Sequence, residues 1–152
     1  MTPSEIMYSL ISHANRHHRC PAKAVGACLV RDDLVVLSSV NGAPRGMELC
    51  EDAGCDWVPS GEAGAGRDHA RHLHAEASLI SAAANLGVRT KGADLYVTHA
   101  PCPSCALLII SAGFDRVVMP SYSVPDGWDR VHEALFGGGV WVERLAIFEE
   151  VS

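Results

Sequence analysis

The 152-residue sequence predicts an α/β fold in which an antiparallel β-hairpin is followed by a largely parallel region with helices as crossovers. Two observations carry this. Two β-branched runs, Val25–Val30 and Leu34–Val40, are separated only by Arg31-Asp32-Asp33, the spacing of a hairpin. From Ala75 onward helical and extended patterns alternate, which implies parallel strands joined through helices. With 48% hydrophobic residues, a chain of this length buries enough surface to stand on one core, and a single domain over residues 1–152 is expected.

Taken in order, Pro3 to about Arg19 places Ile6, Leu10, Ile11 and Ala14 on one helical face, with Ser4 available as its cap. The hairpin comes next. Asn41 to about Asp68 is rich in Gly, Pro and acidic residues and far exceeds the usual length of a connection. Because Cys50 and Cys55 lie inside it and histidines at its end, a metal staple is the economical way to hold it. Ala75–Leu86 is Ala-rich and stopped by Gly87, so it reads as a helix. Strands over Ala93–Ala100, Asp115–Pro120 and Val140–Phe148 then alternate with helices over Pro103–Gly113 and Asp126–Gly139, the last capped by Asp126.

A formal charge of −6 argues against a surface built to neutralise a long phosphate backbone, and a small substrate fits better. No apolar run approaches a membrane span, and "MTPSEIMYSLISHANRHHRC" lacks the order of a signal peptide, so a cytoplasmic location is expected. In a reducing compartment the six cysteines are expected as metal ligands or buried thiols, with Cys28, inside an apolar run, as a small hydrophobe.

The chemistry concentrates in "LHAEAS" and "HAPCPSCALL". His74, Cys102 and Cys105 supply one imidazole and two thiolates, a donor set that suits catalytic zinc with a fourth position left open. Each stands where a helix is expected to start, and the positive end of a helix favours the thiolate. Residues two apart on a regular helix diverge, so His74 and Glu76 share a site only if the helix begins between them. Glu76 is then a carboxylate free to move a proton.

HxE followed by PCxxC is the pattern of zinc nucleobase deaminases. In the same order, "VGACLVRDDLVV", "VNGAPRGMELC", "LHAEASLISAA", "GADLYVTHAPCPSCALLIISAG" and "DRVVM" resemble the deoxycytidylate (dCMP) deaminase family over roughly Cys20 to Met119. The resemblance implies a cytidine deaminase-like three-layer α/β/α fold with a five-stranded mixed sheet, and hydrolysis of a small deoxynucleotide, dCMP, to dUMP and ammonia. It implies a catalytic zinc on His74, Cys102 and Cys105, with Glu76 carrying a proton from water to ring N3. It sets Asn41 at the deoxyribose hydroxyl, with Ala75, Pro101 and Tyr122 beside the substrate. It further implies a second, structural zinc on Cys20, Cys50, Cys55 and His69, with His72 the alternative to His69, and a homo-oligomer. Lys23, Arg45 and Arg67 are candidates for the 5′-phosphate.

The chain departs from the family pattern in three places. Ala77 and Ser78 stand where methionine and asparagine are common, Val40 where an aromatic is frequent, and Asn85 where regulated members carry a basic residue. The alternatives are a modified dCMP as substrate, a base within tRNA or single-stranded DNA, and a non-catalytic zinc-stabilised nucleotide-binding module. The acidic balance opposes a nucleic-acid substrate, and Glu76 opposes the module, because a structural site has no use for an unligated carboxylate.

Overall fold

The computed structural model describes residues 1–19, 23–47 and 72–149. Cys20, Cys50, Cys55, Arg67 and His69, with most of the long connection, lie outside the described residues. Helix α1 (Pro3–His17) opens on a capping box: the Glu5 amide donates to the Thr2 hydroxyl at 3.2 Å and the Thr2 amide donates to the Glu5 carboxylate at 2.7 Å. The cap is therefore Thr2 and not Ser4, which lies inside the first turn behind Pro3.

Strands β1 (Gly26–Arg31) and β2 (Leu34–Val40) form the hairpin. Its two loop residues, Asp32 and Asp33, both take left-handed backbone angles, φ 51° and 59°, as a type I′ turn requires. Glycine suits the second of these positions, so Asp33→Gly is expected to stabilise the fold by about 0.5 kcal/mol, read as a rise in the urea midpoint at unchanged slope.

The chain continues as α2 (Ala75–Leu86), β3 (Asp94–Val97), α3 (Pro103–Ser111), β4 (Arg116–Pro120), α4 (Asp129–Gly137) and β5 (Trp141–Leu145). Two of these differ from the expected bounds. Helix α4 starts at Asp129 because residues 126–128 form a turn that buries the Trp128 ring. Strand β5 stops at Leu145 because its partner ends there: Pro120, the last residue of β4, pairs with Leu145.

The strands form one mixed sheet in the order β2-β1-β3-β4-β5. Strand β1 is antiparallel to both its neighbours, whereas β3, β4 and β5 run parallel. Alternate side chains divide the core between the two faces. Leu29, Leu95, Val97, Val117 and Met119 pack with Leu79, Ile109 and Leu135 from α2, α3 and α4. Cys28, Val30, Tyr96 and Val118 point the other way and meet Ile6, Met7 and Leu10 from α1. With both faces covered the result is a three-layer α/β/α arrangement, which is why β1 reads as a nearly continuous apolar run. Burial pushes the Cys28 thiol up to about 12, the state of an inert core residue.

This topology collects the chemistry at one end. The carboxyl ends of β2 and β3 and the start of β1 lie together, and the starts of α2 and α3 face them. Open α/β sheets place ligands outside the carboxyl ends of their strands.

Candidate active site

His74 is the N-cap of α2, in extended conformation, and Glu76 is the second residue of that helix. The chain turns between them, so two residues that would diverge on a continuous helix serve one site. Cys102 is the N-cap of α3, where its sulfur accepts from the Cys105 amide at 3.5 Å, and Pro103 follows at the first helical position. His74 Nδ1 lies 3.5 Å from Cys102 Sγ and 3.4 Å from Cys105 Sγ, and the three donor atoms all lie within 4.8 Å of one another.

Those separations test the donor set against zinc. With Zn–S near 2.3 Å and Zn–N near 2.0–2.1 Å, the edge of a tetrahedron from nitrogen to sulfur is about 3.6 Å. The observed distances are within about 0.2 Å of that edge, so the imidazole nitrogen stands where one tetrahedral ion shared with both sulfurs would need it. Proton competition points the same way. The Cys105 thiol against it, the His74 ring and the Cys105 amide hold the Cys102 thiol down to about 4. The same contact with Cys102, together with burial, pushes Cys105 up, and the contact with Cys102 raises His74. One divalent cation in place of shared protons satisfies all three donors.

Glu76 is 4% exposed. Burial pushes its carboxyl above the usual carboxylate range, against the opposing pull of its own backbone amide and of the His74 ring. A cavity of ≈ 380 Å³ opens over this group, with His74, Glu76 and Cys102 in its wall together with Lys23, Val25, Asn41, Ala75 and His99. Among the described lining residues Glu76 is the only carboxylate.

Asn41 is also 4% exposed and lines the cavity. Its Oδ1 accepts from the Val25 amide at 2.9 Å and its Nδ2 donates to the Lys23 carbonyl at 2.8 Å, so the side chain clasps the segment that leads into β1. Each end of the amide keeps one further hydrogen-bonding position. Gly42 is required by its neighbours: at φ +134° it exchanges hydrogen bonds with Leu73, and a Cβ here would lie 2.3 Å from Arg19 Cβ and 2.5 Å from the Arg19 carbonyl. Gly42→Ala is expected to cost about 2–4 kcal/mol in denaturant unfolding, because neither backbone can yield.

The other expected site residues fall in distinct places. Ala75 is fully buried in the cavity wall. Pro101 is buried and is not among the residues lining either cavity; its carbonyl accepts from the Trp128 indole N–H at 2.9 Å, which fixes the approach to Cys102. Tyr122 lines an adjoining cavity of ≈ 240 Å³ that shares Lys23 and His99 with the first. Of the phosphate candidates Lys23 reaches a cavity, and Arg45 is exposed away from both. His72 lies against His74, edge to face, in the cavity wall. Sequence reasoning missed His99, Thr98 and Trp128. His99 carries a signal that could have found it, since it stands three residues before Cys102 at the end of β3.

Residues 1–121 match the family model of the cytidine and deoxycytidylate deaminase zinc-binding region. ComE operon protein 2 of Bacillus subtilis is 40% identical over 99 residues, which are 64% of this chain and 48% of that protein, so the match spans about half of that relative's length. The deoxycytidylate deaminase of Mycobacterium phage D29 is 35% identical over 130 residues, 78% of this chain and 94% of the phage protein. Among solved structures, the dCMP deaminase of cyanophage S-TIM5 in complex with dCMP and dUMP superposes with a TM-score of 0.70 at 27% identity, covering 95% of this chain and 99% of the phage chain. A sheet that gathers an imidazole and two thiols at metal-binding distances beside a buried carboxylate, matched over most of its length by these proteins, makes the chain a member of the zinc-binding cytidine and deoxycytidylate deaminase family.

Proposed function

We propose that this chain hydrolyses dCMP to dUMP and ammonia, with zinc held by His74, Cys102 and Cys105 and Glu76 as the proton carrier. The observation that carries this reading is a buried carboxylate beside an imidazole nitrogen at tetrahedral edge distance from two sulfurs, in the wall of a cavity of small-molecule size. Relatives named deoxycytidylate deaminase and a similar structure solved with dCMP and dUMP support the choice of substrate.

When bound, zinc supplies the Lewis acidity that makes water nucleophilic near neutral pH. Glu76 takes the proton from that water and passes it to ring N3 as oxygen adds at C4. It then takes the remaining proton from the new C4 hydroxyl and delivers it to the exocyclic nitrogen, which leaves as ammonia as the C4 carbonyl forms. One carboxylate serves both transfers, and burial keeps it from exchanging protons with bulk solvent. The Ala75 amide, at the first position of α2, has no intrahelical acceptor and donates to the ring carbonyl. Asn41 offers its second N–H to the deoxyribose hydroxyl while its first holds Lys23. Pro101 is kept in place by Trp128, and Tyr122 borders the adjoining cavity, towards the 5′ end of the nucleotide.

The reading extends to a second zinc on Cys20, Cys50, Cys55 and His69, with the long connection folded about it in one deaminase domain. Its support is local: Gly42 bridges Arg19, which precedes Cys20, and Leu73, two residues after the 48–71 segment. Elemental analysis is expected to return two zinc ions per chain and one for Cys50→Ser; a single zinc in both proteins removes the second site. Leu86, Leu107 and Leu108 are exposed on α2 and α3 and support a homo-oligomer, to be read from light scattering. The free thiols among the described residues, Cys28, Cys102 and Cys105, suit the reducing cytoplasm. No described helix is long and apolar enough to cross a membrane.

The test of substrate is ammonia release by the zinc-loaded chain from cytidine, deoxycytidine, CMP, dCMP, dCTP and adenine and guanine compounds. The highest kcat/KM is expected for dCMP. Absence of ammonia from dCMP, with turnover of another ring or sugar, replaces this assignment.

A further inference from the structure

Two cavities meet beside the start of β1. His74, Glu76 and Cys102 belong to the larger alone, whereas Lys23 and His99 line both. Thr98, buried at the end of β3, ties His99 to the sheet: its hydroxyl oxygen accepts from the Gly26 amide at 3.0 Å and lies 2.8 Å from His99 Nδ1. A buried hydroxyl gives its one proton to an acceptor, and the acceptor in reach is Nδ1. The neutral ring then carries its own proton on Nε2. Burial, with the Lys23 charge nearby, keeps His99 neutral by pulling it down to about 4. His99 therefore offers the cavities a group that donates and cannot accept, beside an ammonium. A fixed donor next to a cation suits an anionic oxygen. Glu149, also in the wall of the smaller cavity, sets like charge against an anion held within that cavity, which leaves the junction with Lys23 and His99 as the place for one.

We propose that His99, held by Thr98 with its proton on Nε2, is a specificity-determining residue that receives the 5′-phosphate of the nucleotide together with Lys23 at the junction of the two cavities. Thr98 is its positioning residue. This rests on the reading of the chain as a deaminase of a 5′-nucleotide, and it adds the means by which the phosphate is recognised.

The experiment compares phosphorylated with unphosphorylated ligands, both in turnover (dCMP against deoxycytidine) and in equilibrium binding of the products (dUMP against deoxyuridine). In His99→Leu both preferences are expected to fall by about 20-fold, the kinetic loss appearing in KM. His99→Gln, which keeps an N–H donor, is expected to recover most of the preference. Thr98→Val is expected to lower it and Thr98→Ser to restore it, a rescue that a purely structural role would not give. Zinc content and melting temperature check folding, and His99→Gln and Thr98→Val carry the comparison if His99→Leu does not fold. Equal losses for ligands with and without phosphate, or an unchanged dUMP to deoxyuridine ratio, overturn the proposal. A wild-type chain that releases no ammonia from dCMP defeats the proposed function instead, and the binding ratios still report on His99.

Discussion

Glu76→Gln is expected to lower kcat for dCMP by about 10³-fold or more while leaving KM, zinc content and melting temperature close to those of the wild type. The amide matches the carboxylate in shape and keeps its contacts at the start of α2, so packing is preserved and the transferable proton is lost. No other described residue lining the cavity is a carboxylate, and the nearest substitutes are unsuited. His99 is committed to Thr98, and His72 lies against His74. Single-turnover kinetics with dCMP separate chemistry from binding. Turnover within tenfold of the wild type would assign the proton transfers elsewhere and leave Glu76 a merely structural residue.

Removal of the metal is expected to have a comparable effect on activity and a larger one on stability. The donors come from the starts of two helices, α2 and α3, that pack side by side on one face of the sheet. An ion shared by them stabilises the folded state by about 4 kcal/mol when free zinc exceeds its dissociation constant about 1,000-fold. In a chain of this size that corresponds to a melting temperature about 10 °C higher with zinc than after exhaustive chelation. Cys102→Ser separates this ion from any other: one zinc equivalent is expected to be lost, with ammonia release falling to the background rate. Full activity after chelation, or an unchanged metal content in Cys102→Ser, would remove these side chains from the metal centre.

The grouping of the three donors and the carboxylate beside them was legible because its information is local. A helix start brings His74 and Glu76 to one side, and another brings Cys102 and Cys105 together, so spacing along the chain nearly determines spacing in space. The hairpin was legible for the same reason, since the three residues between the β-branched runs leave little choice of pairing, although the fold takes Arg31 into β1 and leaves only Asp32 and Asp33 in the turn. Element ends were less so. The end of β5 is set by its neighbour β4, and the start of α4 by the space that receives the Trp128 ring, and neither partner is close in sequence.

Asn41 shows where a single role was too narrow. The sequence supported a turn or a ligand contact, and the fold makes the side chain a clasp on residues 23 to 25 that also faces the cavity. His99 was hidden inside a run that reads as a strand. Alternation would send it to a face of the sheet, but β3 ends at Val97 and the chain turns there, so the ring reaches the cavities instead.

By itself the sequence determined the α/β class, the three candidate metal donors and the carboxylate placed beside them, because each depends on residue type and short-range geometry. Only the tertiary structure decided that Lys23 reaches the cavity beside Glu76 while Arg45 does not, that Gly42 lies too close to Arg19 to carry a side chain, and that the Thr98 hydroxyl meets the His99 ring. Those outcomes depend on which distant strands become neighbours, and pairing across a sheet is a property of the whole chain's packing, to which no single stretch of residues holds the answer.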